Sequence, residues 1–298
     1  MSTAIGPDAG APPAAAAMPS EARTARNERL RLLLRTPTVL VGLFVLLFWI
    51  TFAILGDRIT PYDPIFDQTQ DIFASPSWSH WFGTDTLGRD VFSRVLAGSR
   101  DILLVAPAAT LLGTALGTAI GLTVGYFRGI VDDVISRVID AVLVMPVVIT
   151  GVVVITALGS RSSLVVTVLI GLVFTPLVAR TVRAAVLEEA ELDYVQAARL
   201  RGEKAPYVMF KEILPNVMPP IVVEFTVRLG YAIFAVAALT FIGLGIQPPS
   251  PDWAVQVYDN YSYIDPYWWT TLFPALAIAS LVIAVNLVAD GVREVYER

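Results

Sequence analysis

Few residues in this sequence have the type and spacing to do chemistry, and the clearest pair lies inside an apolar run. Glu224 and Arg228 are four residues apart, so on a helix they share a face and can form an ion pair. A charge at the centre of a bilayer costs about 2.5–3.5 kcal/mol on insertion scales, so such residues usually face the protein interior or a polar path. Two interpretations follow: the pair lines a path for a polar solute, or it is a structural ion pair between helices.

Motifs for catalysis, nucleotide binding and metal binding are missing from the sequence. There is no cysteine and one histidine, His80, which excludes a thiolate nucleophile and a histidine-cluster metal site; His80 itself is predicted to be a solvated loop residue. There is no G-x-x-x-x-G-K-[ST], H-E-x-x-H or G-x-S-x-G. Asp140 and Asp290 fall at the ends of apolar stretches, which argues against an intramembrane aspartyl protease. We expect a chain that is not an enzyme and holds no cofactor.

The composition predicts that these residues are positioned by membrane-spanning helices. The 298 residues are 55% hydrophobic and 16% charged, whereas a soluble domain carries about 25% charged residues. The mean hydropathy is +0.66, and the net charge of −5 excludes a broadly basic nucleic-acid binder. A spanning helix needs about 20 apolar residues. Six stretches qualify, and they predict an all-α integral membrane protein with six transmembrane helices: roughly 38–56, 102–127, 134–158, 164–183, 218–245 and 269–290.

The distribution of basic residues predicts the domain boundaries and the orientation. Residues 1–36 form a disordered, basic tail, with Ala, Pro and Gly over 1–22 and arginines after it, and residues 37–298 form one membrane domain. By the positive-inside rule both termini are cytoplasmic, and the outside loop 246–268 has no Lys or Arg. The exceptions are four arginines in or beside the first outside loop, which acidic residues balance: Arg58, Arg89, Arg94 and Arg100.

Glycines in the second stretch predict a close helix–helix contact. They recur every four residues, which places them on one helix face: Gly113, Gly117, Gly121 and Gly125. Small residues allow two backbones to approach closely in lipid. We expect this face to pack against another helix.

A polar segment at 184–216 is predicted to protrude into the cytoplasm between two spans. Its first part reads as one helix that stops at Gly202, because glycine tolerates the left-handed backbone that ends helices. Pro206 marks the turn, and a second short helix is expected near 207–213.

These segments resemble the permease subunits of ABC importers, and in particular the C-type subunit of the dipeptide, oligopeptide and nickel class. The motifs are QAA at 196–198 with Gly202 and ILPN at 213–216, FGTDTLGRDVFSR at 82–94, Arg137 with Asp140, Leu143 and Pro146, FIGLGIQPP at 241–249, Phe273-Pro274, and Asn286 with Asp290, Gly291 and Arg293. They cover about residues 80–298, and the tail before residue 36 is outside the resemblance. Gln196 stands where the family has glutamate. The charged pairs Asp85–Arg89 and Asp90–Arg94 are read as exposed i,i+4 pairs, worth about 0.2–0.5 kcal/mol each.

The resemblance implies a type I importer permease fold and an assembly. The partners would be a second, similar permease, two ATPase subunits that bind ATP and Mg, and an extracytoplasmic binding protein, with membrane lipid around the chain and no nucleic acid. Residues of the 184–216 segment would couple ATP hydrolysis to movement of the spans: Gln196, Ala197, Ala198, Arg199, Arg201, Gly202, Glu203, Leu214 and Pro215. Glu224 and Arg228 would line the path in the cytoplasmic membrane.

Several alternatives stay open on the sequence alone. The cargo implied by the resemblance is a di- or oligopeptide, with nickel chelates and oligosaccharides as alternatives, and the second permease is either a different chain or a copy of this one. A stand-alone secondary transporter and a membrane scaffold are the competing classes. The aromatic residues of loop 246–268 belong either to the membrane interface or to a docking surface made negative by Asp252, Asp259 and Asp265.

Overall fold

The computed structural model describes residue 33 and residues 36–297, so almost all of the predicted tail lies outside the described residues. Within this range the chain is helical, and its one β-type contact is an isolated bridge between Thr84 and Asp90. The helices are α1 Pro37–Ile59, α2 Val91–Ala97, α3 Ser99–Phe127, α4 Gly129–Leu143, α5 Val147–Leu158, α6 Ser163–Glu189, α7 Asp193–Leu200, α8 Ala205–Tyr207, α9 Leu214–Asn216, α10 Met218–Phe241, α11 Trp253–Asn260 and α12 Trp269–Glu297. A π-helical segment, Val208–Ile213, joins α8 to α9, and a 3₁₀ turn, Tyr261–Tyr263, follows α11.

The predicted all-α membrane fold is confirmed. Five helical stretches are long and apolar enough to cross a membrane, and the bent pair α4–α5 supplies a sixth crossing when it is counted as one span. Each crossing overlaps one of the six predicted apolar stretches. At about 1.5 Å per residue, the 27 to 29 residues of α3, α6 and α12 exceed the roughly 30 Å of a hydrocarbon core, so these helices extend beyond it.

The third crossing differs from its prediction. The sequence suggested one span at 134–158, but the structure has two helices that meet at an angle of 90°. Pro146 stands at the junction with extended backbone angles and has no N–H to continue the helical bonding, so α4 ends at Leu143 and α5 begins at Val147. The helical stretch also begins earlier than predicted, at Gly129, directly after α3.

The polar segment at 184–216 also differs from its prediction. A single helix ending at Gly202 was expected; instead, α6 continues to Glu189, and α7 begins at Asp193 after a turn in which Leu192 has extended backbone angles. Ala190 and Val195 flank this turn and are both fully buried, so the chain bends in order to bury both. The end of α7 agrees with the sequence, because Gly202 follows it with a φ of +79°.

On the opposite side of the spans, the loop at 60–90 packs with α2 and α11. The indole of Trp253, at the start of α11, is fully buried and donates a hydrogen bond of 2.6 Å to the carbonyl of Val95 in α2. The predicted fifth span, 218–245, ends at Phe241, and Gly243 then takes a φ of +78°. The tight turn behind it is fixed by the Thr240 hydroxyl, which accepts a hydrogen bond from the backbone N–H of Ile246.

Candidate functional site

The polar segment at 184–216 is built onto the ends of three spans by a small apolar core. Four side chains between Asp193 and Asn216 are fully buried: Val195, Ala198, Val208 and Ile213. They cluster with residues of α3, α6 and α10: Leu122, Val178, Val182, Val186 and Ile221. Because packed apolar contacts resist relative movement, a push on α7 is transmitted to these three helix ends.

A hydrogen-bonded tyrosine fastens α7 between α6 and α9. The hydroxyl of Tyr194 donates to Glu189 over 2.5 Å and accepts from the side-chain amide of Asn216 over 2.9 Å. Burial, followed by the bond to the Glu189 carboxylate, raises the pKa of Tyr194 to about 12. The phenol therefore remains a hydrogen-bond donor throughout the physiological pH range.

The outer face of the segment presents apolar side chains to solvent. Leu200 is 90% exposed at the end of α7, and Tyr207 and Phe210 are about half exposed across the turn from it. Large apolar side chains exposed on the segment that connects two spans are typical of a contact surface for another protein. We call the surface formed by Leu200, Tyr207 and Phe210 the apolar knob.

The structure places the sequence-predicted coupling residues on two different faces. Ala197 is exposed, but Ala198 points into the core, since it lies three residues from buried Val195 on the same helix face. Ala197 and Ala198, both among the predicted coupling residues, therefore do not share one exposed face. Gln196 also turns inward, because its side-chain amide donates to the carbonyl of Ala190 over 3.2 Å.

The remaining coupling residues surround the turn at Gly202. Arg201 lies 3.7 Å from the Glu212 carboxylate, Leu214 is half-buried, and the exposed members are Gly202, Glu203 and Pro215. Arg199 lies over the ring of Tyr126 in α3, 4.7 Å from the ring centre. Apart from Ala198 and Gln196, the predicted set borders the apolar knob or joins it to the spans.

The charged pair in α10 forms the ion pair that its spacing predicts. Arg228 Nε donates to Glu224 Oε1 over 2.6 Å, and the two side chains are 19% and 12% exposed. The Arg228 guanidinium lies 5.5 Å from the centre of the Tyr231 ring on the same face. Tyr231 and Phe234 are each about 60% exposed, so α10 presents two aromatic side chains beside the largely buried ion pair.

The four glycines of α3 lie against one helix, α6. A Cβ built on Gly117 would be 2.6 Å from the Cβ of Val178, and one built on Gly121 would be 2.7 Å from the Cβ of Val182. Gly113 and Gly125 meet α6 one turn further along in each direction, at Phe174 and Val186. The small face therefore serves packing within the chain, and α3–α6 is the most extensive helix pair of the described fold.

A buried charge cluster on the other side of the spans was missed from sequence. Arg89 Nε donates to Asp85 over 2.7 Å, and a second Asp85 contact reaches Arg94 Nε at 3.6 Å. Arg89 also lies 3.6 Å from Asp259 of α11, which joins the first loop to α11. These pairs are buried, with Asp85 1% and Arg94 1% exposed, so the interpretation of exposed i,i+4 pairs is wrong. The sequence showed the spacing but not Asp259, which is about 170 positions away.

The contacts of His80 and Asp90 contradict two further predictions. Asp90 does not pair with Arg94; it caps α2 through the N–H of Ser93 and bonds His80 Nδ1 at 2.9 Å. His80 is 8% exposed and its ring packs on Tyr62 at 4.8 Å between centres, so it is a packed residue and not a solvated one.

The loop after α10 carries less free negative charge than the docking hypothesis assumed. Asp252 is 1% exposed and caps α11 through the N–H groups of Ala254 and Val255, while Asp259 is engaged with Arg89. Asp265 remains exposed. Burial raises the pKa of Asp252 to about 7, although the two backbone hydrogen bonds act in the opposite direction.

Comparison with known proteins adds two family models and several relatives. Residues 117–298 match the binding-protein-dependent transport system inner membrane component, and residues 27–76 match the N-terminal TM domain of oligopeptide transport permease C. The sequence is 39% identical over 269 residues to the dipeptide transport system permease protein DppC of Escherichia coli K12, covering 87% of this chain and 88% of the relative. It is 35% identical to the di/tripeptide permease DppC of Pseudomonas aeruginosa UCBPP-PA14 over 85% of both chains, and 33% identical to the DppC of Alkalihalophilus pseudofirmus over 90% and 88%. The similarity therefore begins at residue 27, earlier than the motifs indicated.

Proposed function

The chain belongs to the family of inner membrane components of binding-protein-dependent transport systems, and from this premise we propose that it is one permease subunit of an ATP-driven peptide importer. Di- or tripeptides are the proposed cargo, because the relatives compared above are named for dipeptide or di/tripeptide transport. The chain would supply half of the translocation path across the cytoplasmic membrane and would perform no catalysis.

The apolar knob is the observation that carries the proposal. It stands at the tip of a segment whose core is shared with α3, α6 and α10. An exposed apolar surface of this kind is typical of a contact with another protein. An ATPase subunit that binds this surface can move the spans as a unit when it binds nucleotide. ATP and Mg would be bound by that partner, since this sequence has no phosphate-binding loop. The proposed complex holds two ATPase subunits, a second, similar permease and an extracytoplasmic binding protein.

The proposed mechanism is a shift between two states of the permease pair. Closure of the ATPases on nucleotide would displace α7, and the shared core would carry the displacement to α3, α6 and α10. A partner can shift an equilibrium only by binding one state more tightly, so the knob must contact the ATPases differently in the inward-open and outward-open states. The Glu224–Arg228 pair, beside the exposed Tyr231 and Phe234 of α10, would then form part of the polar wall of the path.

The orientation belongs to the same proposal. Arg199, Arg201, Lys204 and Lys211 in the knob segment favour a cytoplasmic position, and the loop at 246–268 without Lys or Arg favours the outside. An even number of crossings then leaves both termini in the cytoplasm. The binding protein would dock on the opposite side, above the loop at 60–90 and α11.

Co-purification tests the proposal directly. The chain, tagged at its N-terminus, is extracted from its native membrane in mild detergent, and the co-purifying subunits are identified. We expect two ATPase subunits and a second permease, and we expect Leu200→Asp to release the ATPases while the second permease stays bound. Leu192→Asp is the matched control, because Leu192 is also exposed but lies at the far end of α7 from the knob. A chain that purifies alone and moves solute in liposomes without ATP would instead be a secondary transporter.

A further inference from the structure

A small cavity on the loop at 60–90 is walled by aromatic rings. Its volume is about 270 Å³. Four rings line it: Tyr62, Trp78, Trp81 and Phe92. The lining is completed by Pro61, Ser79 and Asp90. Cavities for drug-sized ligands measure about 300–1,000 Å³, so this one suits a single small chemical group. We call it the aromatic cage.

Two of the four rings are held in place by the surrounding chain. The Tyr62 hydroxyl donates to the carbonyl of Ser79 over 3.0 Å, and its backbone N–H donates to the Ser93 hydroxyl over 3.2 Å. The ring of Phe92 packs edge-on against that of Phe82, with 5.0 Å between the centres. A ligand that binds between Tyr62 and Phe92 therefore does not have to order these side chains, and this lowers the entropic cost of binding.

The other two rings are exposed indoles. Trp78 is 97% exposed and Trp81 is 58% exposed. The ring of Trp81 lies 4.7 Å from that of Phe92, so one indole extends the fixed wall. Exposed tryptophans are common at a membrane interface, but here both indoles border one concave space together with fixed rings. Large apolar side chains exposed around a concave space are typical of a binding site.

The charge at the aromatic cage is negative. Asp90, which is 3% exposed, is the one charged side chain among the described residues that line it. Its carboxylate accepts two hydrogen bonds from Ser93 and bonds His80 Nδ1, whereas a carboxylate offers about four acceptor positions. The loop at 60–90 holds five aspartates and one arginine, a net charge of −4 with histidine neutral. Both the lining and the loop therefore favour a cation and repel an anion.

We propose that the aromatic cage binds an alkylammonium group, carried either by a small solute or by a lipid headgroup. A cation is attracted to the negative face of an aromatic ring, most strongly to that of tryptophan, and aromatic cages bind ammonium groups in this way. A metal ion such as Ca²⁺ needs six to eight oxygen ligands, whereas the lining supplies one carboxylate. An apolar wall with one negative charge fits an organic cation instead.

A binding measurement without transport tests the proposal. The purified complex is titrated with choline, a trimethylammonium compound, and binding is followed by saturation-transfer NMR on the choline methyl protons. The matched control ligand is 3,3-dimethyl-1-butanol, which has the same shape but a neutral carbon in place of the charged nitrogen. We expect choline to bind and the neutral alcohol to bind more weakly by roughly fivefold or more.

Separate replacement of the two exposed indoles locates the binding at the aromatic cage. Trp78→Leu and Trp81→Leu should each lower the affinity for choline by roughly fivefold, because leucine keeps an apolar wall but has no ring face. Both indoles are largely exposed, so neither change should move the midpoint of thermal unfolding appreciably. Trp268→Leu is the matched control, because Trp268 is 47% exposed and does not line the cage. It should bind choline as the unchanged protein does.

Competition with choline distinguishes the two sources of the ammonium group. Displacement by a dipeptide with a free amino terminus, but not by the N-acetylated dipeptide, would assign the cage to a solute. Displacement by a short-chain phosphatidylethanolamine, but not by the corresponding phosphatidylglycerol, would assign it to a lipid headgroup. Either result supports an ammonium site.

Two results would overturn the proposal. Equal binding of choline and the neutral alcohol would show that the cavity selects shape and not charge. Choline binding that is unchanged in both Trp78→Leu and Trp81→Leu would show that the cation binds elsewhere. The outcome is independent of the proposed function: if no ATPase co-purifies but choline binds as expected, the proposed function fails and this inference stands.

Discussion

The guanidinium carbon of Arg199 lies 4.7 Å from the centre of the Tyr126 ring, so α7 is joined to the last turn of α3. Arg199 Nε is buried and has no hydrogen-bond partner among the described residues, which leaves the ring face as its close neighbour. A cation over an aromatic face contributes about 0.5–1 kcal/mol when exposed and about 2 kcal/mol or more when desolvated. The contact is a second mechanical link between α7 and the spans, beside the apolar core.

Removing the ring should weaken coupling more than it weakens assembly. We expect Tyr126→Leu to lower peptide uptake per ATP hydrolysed by roughly fivefold, the factor that corresponds to about 1 kcal/mol. The measurement is uptake and ATP hydrolysis by the assembled complex in proteoliposomes. Tyr126→Phe keeps the ring and is the matched control, expected to behave as the unchanged chain. Equal loss in both variants would show that the hydroxyl, and not the ring face, is what matters.

The packing of α3 against α6 should not tolerate a Cβ atom in place of a glycine hydrogen on α3. A Cβ on Gly117 would lie 2.6 Å from the Cβ of Val178 and 2.8 Å from the carbonyl oxygen of Thr175, and neither neighbour is the flexible end of a side chain. We expect Gly117→Ala to destabilise the fold by about 1–3 kcal/mol, the usual cost of overpacking. A thermal unfolding scan of the purified complex measures the change.

The control for this prediction lies on the other face of the same helix. Ala119 is exposed, so Ala119→Leu adds more volume than Gly117→Ala but meets no neighbouring backbone. It should leave the midpoint of thermal unfolding nearly unchanged. A larger loss from Ala119→Leu than from Gly117→Ala would mean that the exposed face of α3 is the closer contact in the assembled complex.

The buried charges around Asp85 should make that residue indispensable to the loop at 60–90. Asp85 holds Arg89 and Arg94, and its Oδ1 also accepts from the N–H groups of Leu87 and Arg89. Removing one partner of a buried ion pair costs about 3–5 kcal/mol, because the other charge stays buried without compensation. We expect Asp85→Asn to expose the loop to protease and to abolish docking of the proposed binding protein. Asp71→Asn, at an exposed position in the same loop, should do neither.

Local patterns were enough to predict the spans and the glycine face. An apolar run of about 20 residues has one stable arrangement in lipid, so the positions of α1, α3, α6 and α12 followed from composition alone. Glycines spaced four residues apart must share a helix face. Gly202 was predicted to end a helix because glycine adopts the left-handed backbone that few other residues tolerate, and its φ is positive.

The missed features depend on partners that are distant in sequence. The pairing of Arg89 with Asp259 joins two loops through the fold, and nothing near either residue signals the other. The bend at Pro146 lies inside an apolar stretch, and the composition of that stretch predicts one continuous span. The chain bends there because Pro146 has no backbone N–H for the helical hydrogen bond. The inward turn of Ala198 follows from the core formed with α6, which helix periodicity alone does not reveal.

The carboxyl group of Asp252 should make the stability of the complex depend on the pH of the solution around the loop after α10. Its Oδ1 caps α11, but its Oδ2 is buried without a hydrogen-bond partner in the described structure. Burial is the main cause that raises its pKa from 3.8 to about 7, with nearby Asp101 acting in the same direction. Because the folded pKa is the higher one, the folded state binds a proton that the unfolded chain has lost. Stability is therefore fully present below about pH 4 and falls as the pH rises to about 7.

Asp252→Asn tests this sign, because the amide oxygen can still cap α11 and the side chain no longer ionises. We expect the variant to be more stable than the unchanged complex at about pH 8, by up to a few kcal/mol, and the advantage to shrink toward about pH 5. Thermal unfolding of both proteins across this range measures the difference, with Asp265→Asn as the control at an exposed aspartate on the same side. A difference between Asp252→Asn and the unchanged complex that stays constant with pH would show that Asp252 keeps an ordinary pKa in the folded protein.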